Sequence, residues 1–151
     1  MTILGIETSC DETAAAVVRD GLNGRGPKLA SSVVASQMAV HRPFGGVVPE
    51  LASRSHIRFI TEVMERALRE ARVPPKRVDA VAATAGPGLP GSLLVGLTAA
   101  KAFAWLLRKP FLAVNHIEAH VYAAFLEAPP LSPPLLALVV SGGHTALLAM
   151  R

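Results

Sequence analysis

Two histidines four residues apart, in Asn115-His116-Ile117-Glu118-Ala119-His120, are the side chains of this sequence best placed to hold a metal ion. On a helix that spacing puts both imidazoles on one face, one turn apart, where their ring nitrogens can share a divalent cation. Two ligands do not complete a tetrahedral or octahedral shell, so a third must come from elsewhere. The pattern is not that of a zinc peptidase helix. Ile117 stands where the water-activating glutamate is needed, and Glu118 points off the face the histidines share. Peptide hydrolysis is therefore disfavoured. On these residues alone, a plain structural role at a helix start stays open.

Three other stretches carry groups suited to chemistry. In Thr8-Ser9-Cys10-Asp11-Glu12, the Thr8 and Ser9 hydroxyls with the turn amides can donate to phosphate oxygens, while Asp11 or Glu12 can hold magnesium through water or act as a base. A solvated hairpin tip is the bland alternative. Gly86-Pro87-Gly88-Leu89-Pro90-Gly91-Ser92 ends at a predicted helix N-terminus, but it lacks both the Gly-Lys-Ser/Thr ending of a P-loop and the dinucleotide glycine spacing. Close backbone approach to a ligand and simple chain packing are both open there. Ser141-Gly142-Gly143-His144 is a second polar turn, near the other end of the chain.

The elements that must position these groups follow from hydrophobic periodicity. Thr2–Thr8, Thr13–Val18 and Leu29–Ser36 read as three strands joined as a meander. Gln37–Val48 reads as an ordered surface loop, and Pro49 opens a helix that runs to about Ala71, where Pro74 and Pro75 stop the chain from continuing it. The charged face of that helix reads as solvated surface. Val78–Ala85 is a strand, and about Gly91–Leu107 is a helix apolar nearly all round, as for one sandwiched between a sheet and a second body. Phe111–Val114 is a short buried strand that delivers His116 to the end where ligands gather in open α/β sheets. Pro129, Pro130, Pro133 and Pro134 form a stiff connector, and Leu135–Val140 with Thr145–Met150 makes a final hairpin.

Composition bounds the class. With 151 residues, 51% of them hydrophobic and 5% aromatic, the chain suits one domain with an aliphatic core. The single Cys10 excludes an internal disulfide and a Cys-rich zinc site. With no cationic leader ahead of Ile3, a reducing, cytoplasmic setting is expected. A formal charge of +4 permits a polyanionic partner, but the basic residues form no dense tract.

The element order βββαβαβα plus a further hairpin resembles the first lobe, and the start of the second, of the actin, sugar kinase and heat-shock ATPase (ASKHA) superfamily. Five ordered motifs make the resemblance closer: Gly5-Ile6-Glu7-Thr8-Ser9-Cys10-Asp11-Glu12-Thr13, Phe44-Gly45-Gly46-Val47-Val48-Pro49-Glu50, Gly86-Pro87-Gly88-Leu89, the His116/His120 stretch and Ser141-Gly142-Gly143-His144-Thr145. In that order they are similar to the tRNA N6-adenosine threonylcarbamoyltransferase family, formerly labelled O-sialoglycoprotein endopeptidase. The resemblance implies transfer of a threonylcarbamoyl group from threonylcarbamoyl-adenylate to N6 of the adenosine adjoining the anticodon in tRNAs reading codons that start with A. By the same resemblance, His116 and His120 are metal ligands, for iron or alternatively zinc, and Val139, Val140, Ser141, Gly142 and Gly143 contact the adenylate. The family's third metal ligand, an Asp, belongs to the second lobe. The domain division it implies is 1–130 for the first lobe and 131–151 for the start of the second, so the chain is expected to be a fragment without activity of its own. Implied partners are tRNA, an ASKHA-fold paralogue and an accessory ATPase of the modification complex, with no membrane. A homodimer through apolar surface that the second lobe would cover is a further possibility. The competing readings are a noncatalytic partner subunit, which does not need the histidine pair, and a small-molecule kinase of the same fold.

Overall fold

The structure, a computed structural model, describes residues 1–21, 26–127, 131–141 and 145–151. Strands β1 (Thr2–Glu7), β2 (Glu12–Arg19) and β3 (Lys28–Ser36) form the expected antiparallel meander. β4 (Ala80–Gly86) and β5 (Phe111–Asn115) join parallel to β1, giving the order β3-β2-β1-β4-β5.

Alternation along the strands decides which layer each side chain enters. Leu4 and Ile6 of β1, Ala15 and Val17 of β2, and Val81 and Ala83 of β4 face a core shared with helices α2 (Pro49–Glu70) and α3 (Pro90–Leu107). Ile60, Val63, Met64 and Leu68 supply the apolar stripe of α2, each contributing about 1.5–3 kcal/mol when withdrawn from water. The opposite strand positions, Gly5, Ala14, Ala16 and Ala82, are small. Between them and Ala119 and Ala123 of α4 (His116–Glu127) lies a cavity of about 360 Å³.

Four features depart from the sequence reading. The expected loop Gln37–Val48 contains a short helix α1 (Met38–His41) and a 3-10 turn (Arg42–Phe44), and it buries Gln37 and His41. Helix α2 ends where expected, at Glu70, but the cause differs: Arg72 turns left-handed (φ 54°) and Val73 N–H bonds back to the Leu68 carbonyl before the prolines are reached. Helix α3 is covered on one side only. Its small stripe Ser92, Gly96, Ala100 and Ala104 is buried while Leu94, Trp105 and Leu106 are exposed. It is the one described helix long and apolar enough to cross a membrane, yet that stripe packs it onto α2 and β4. Strand β5, expected to be buried, is the sheet edge, and Leu112 is exposed.

β6 (Leu135–Val140) and β7 (Thr145–Met150) pair antiparallel as a separate two-stranded sheet, with Val140 opposite Thr145.

Candidate metal centre

Strand β5 ends at Asn115, whose side-chain Oδ1 accepts the Ile117 and Glu118 amides at 2.9 and 3.2 Å. This N-cap satisfies amides the first helical turn leaves open and places His116 at the first position of α4. His120 follows one turn later on the same face, and the two Nε2 atoms stand 3.2 Å apart with the rings edge to face at 80°.

The first imidazole is fixed from behind. His116 Nδ1 lies 3.2 Å from Glu7 Oε2 and 3.2 Å from Ser9 Oγ. Glu7 in turn accepts the Thr84 hydroxyl at 2.5 Å on one oxygen and the Ser9 amide on the other. Burial alone would raise the Glu7 carboxyl, but the hydrogen bonds from Thr84, Ser9 and His116 outweigh it and hold the group below its ordinary 4.5. An ionised carboxylate only accepts, so His116 Nδ1 carries the proton given to Glu7, and in the neutral ring Nε2 then keeps its lone pair. A carboxylate behind one nitrogen with the other left to ligate is the arrangement found around metal-binding histidines.

Two nitrogens on one ion at about 2.0–2.1 Å, at tetrahedral or square angles, are separated by roughly 2.9–3.4 Å. The observed 3.2 Å falls in that range, so the pair fits two positions of one metal shell. No group of three or more His, Cys, Asp or Glu able to hold a metal occurs among the described residues.

The structure gives the remaining candidate residues different places. Thr8 is buried and donates its hydroxyl to the Ser92 carbonyl at 2.8 Å. Ser9 is buried with its hydroxyl on His116. Both hydroxyls have internal partners. Asp11 is half-buried and Glu12 exposed at the same turn. Partial burial first, and then Asp11, push the Cys10 thiol up to about 11, which makes it a poor nucleophile at neutral pH. Val139 is half-buried, and Val140 and Ser141 are exposed at the end of β6. Gly142 and Gly143 lie outside the described residues.

The Gly-Pro-Gly loop packs on this same turn. Leu89 N–H bonds the Ser9 carbonyl at 2.8 Å, and a Cβ at Gly88 would stand 2.6 Å from that carbonyl oxygen. A Cβ at Gly96 would stand 2.3 Å from Thr8 Oγ1. In the loop itself, Gly88 serves chain packing against the Ser9 carbonyl.

Sequence reasoning missed Glu7 and Thr84. The available signal was Glu7 itself, the single charged residue of an otherwise apolar strand, on the Gly5 side of the sheet.

The family model described as tRNA N6-adenosine threonylcarbamoyltransferase (TsaD) matches residues 28–151. The protein of that name from Caldicellulosiruptor saccharolyticus is 56% identical over 151 residues, all of this chain and 44% of that protein. The one from Syntrophobacter fumaroxidans is 60% identical over 147 residues, 97% of this chain and 42% of that protein. The chain thus spans less than half the length of these curated relatives. Among solved structures, YeaZ from Pseudomonas aeruginosa matches with a TM-score of 0.58 at 24% identity, over 83% of this chain and 48% of that one. That likeness shows the fold, an α/β lobe built on a mixed sheet.

Proposed function

The chain belongs to the tRNA N6-adenosine threonylcarbamoyltransferase family, and from that premise we propose that its full-length form transfers a threonylcarbamoyl group from threonylcarbamoyl-adenylate to N6 of the adenosine beside the anticodon in tRNAs reading codons that start with A. The observation that carries this reading is the convergence of His116 and His120 Nε2 to 3.2 Å, with Glu7 and Ser9 behind His116.

His116 and His120 would hold one divalent ion, iron or alternatively zinc, with a carboxylate from the remainder of the protein. Bound there, the ion supplies Lewis-acid polarisation and a template for the acyl donor. Glu7 keeps the proton on His116 Nδ1 and so keeps Nε2 available. Val139, Val140 and Ser141, with Gly142 and Gly143, contact the adenylate, and the amides of that bend hold phosphate oxygens as AMP departs. The adenine amino nitrogen attacks the carbamoyl carbon, the bond from that carbon to the phosphate oxygen breaks, and Asp11 or Glu12 takes the amino proton.

We assign residues 1–130 to the first lobe and 131–151 to the start of the second. The working partners are tRNA, an ASKHA-fold paralogue and an accessory ATPase, in the cytoplasm. The formal +4 charge suits a polyanionic substrate.

The test is to supply the full-length protein with tRNA, threonylcarbamoyl-adenylate and the partner proteins, and to analyse the nucleosides by mass spectrometry. Threonylcarbamoyladenosine is the expected product, and its absence overturns the proposal.

A further inference from the structure

A second set of buried polar side chains lies on the other side of the Thr8–Asp11 turn: Thr13, Gln37, His41 and His56, at 0, 1, 4 and 0% exposure. Groups this buried are costly to leave unpaired, so their hydrogen bonds must close. Two backbone ends dictate how. The Val48 amide can only donate, and it meets His41 Nδ1 at 3.3 Å. His41 therefore carries its proton on Nε2, which faces Gln37 Oε1 at 3.2 Å. That orientation turns the Gln37 amino group to His56 Nδ1 at 3.1 Å, where Thr13 Oγ1 also donates at 2.8 Å. His56 Nδ1 is thus an acceptor, and its proton sits on Nε2, 3.1 Å from the Cys10 carbonyl, which can only accept.

Every donor in this file points the same way, from Val48 to Cys10. Reversing one member places two donors or two acceptors face to face. Burial first lowers the basicity of His56, which favours the neutral ring the file requires. The neighbouring carbonyls of the same turn are tied too, Ser9 to Leu89 N–H at 2.8 Å and Asp11 to Gln37 N–H at 3.1 Å. The turn holds Ser9, and Ser9 Oγ reaches His116 Nδ1 at 3.2 Å.

We propose that His56 is a positioning residue for the histidine pair: through Gln37 and His41 it couples the Arg42–Val48 segment to the turn that sets Ser9 against His116. The segment carries the exposed residues Phe44, Gly45, Gly46 and Val47, so a contact made there is transmitted to the pair by a one-way set of hydrogen bonds. This assignment rests on reading His116 and His120 as a metal pair.

The experiment is histidine-15N correlation spectroscopy on the full-length protein at pH 7.5, wild type and Val48→Pro, with zinc titrated into each. In the wild type, His41 and His56 are expected as Nε2–H tautomers, and a proton on Nδ1 of either overturns the proposal without any variant having to fold. Val48→Pro removes the first donor, and it also replaces the side chain and draws φ from −100° towards about −65°. It is expected to leave His41 exchanging between tautomers, to shift the His56 ring and Ser9–Asp11 amide signals, and to weaken zinc severalfold. A change that stops at His41 overturns the coupling. If wild-type protein takes up no zinc, the metal reading fails, whereas the tautomers and the spread of the shift still decide the coupling separately.

Discussion

Glu7 Oε2 on the first strand lies 3.2 Å from His116 Nδ1 at the start of the fourth helix, 109 residues further along the chain. The parallel pairing of β1, β4 and β5 brings them together, since Ile6 pairs with Ala83 and Val114 with Thr84, leaving Glu7, Thr84 and Asn115-His116 at one end of the sheet. The proton this carboxylate holds on Nδ1 is what frees Nε2 for a metal.

Replacing Glu7 with Gln keeps the side chain's size but removes the charge that holds this tautomer. Zinc affinity of the full-length protein is expected to fall by about 10–100-fold, the usual effect of losing such a supporting group. Calorimetric titration of wild type against Glu7→Gln checks this, and equal affinities contradict it.

The same carboxylate sets an acid limit on stability. Hydrogen bonds from Thr84, Ser9 and His116 overcome the effect of burial and keep the folded Glu7 below 4.5. A group depressed on folding stabilises the native state fully above its unfolded value, and that stabilisation fades as pH falls through the folded one. Urea midpoints of the wild type should therefore decline more steeply below about pH 4.5 than those of Glu7→Gln, with the curves converging at the acid end.

Two glycines bear on the turn directly. A Cβ at Gly88 would lie 2.6 Å from the Ser9 carbonyl oxygen, and one at Gly96 would lie 2.3 Å from Thr8 Oγ1. Gly88→Ala and Gly96→Ala should each destabilise by about 1–3 kcal/mol, as overpacking does, and urea unfolding measures it. Gly46→Ala, with nothing within 4 Å of the added carbon, serves as the near-neutral control.

How much of this was legible in the sequence follows the separation of the parts. The His116/His120 pair could be read because helical spacing makes neighbours of residues four apart. The strands could be read from the alternation of Leu4 and Ile6 and from the apolar run that became β4, whereas their order in the sheet could not. Glu7 behind His116 could not, because that contact depends on the register of three strands. The burial of Gln37, His41 and His56 was equally hidden. His56 follows Ala52 and precedes Ile60 by four residues on the buried face of α2, but its partner Gln37 opens a stretch whose polar, Pro- and Gly-bearing composition resembles a surface loop, and Thr13 and Cys10 lie 43 and 46 residues away. The exposed Trp105 side of α3 escaped for a different reason: an evenly apolar helix carries no mark of which face the sheet will cover.

The account turns on whether His116 and His120 bind one metal together. Metal analysis of the purified full-length protein tests this most directly, comparing wild type with His116→Ala and His120→Ala. About one equivalent of iron or zinc in the wild type and near none in either variant is the expected result. Equal metal content in all three proteins would contradict it.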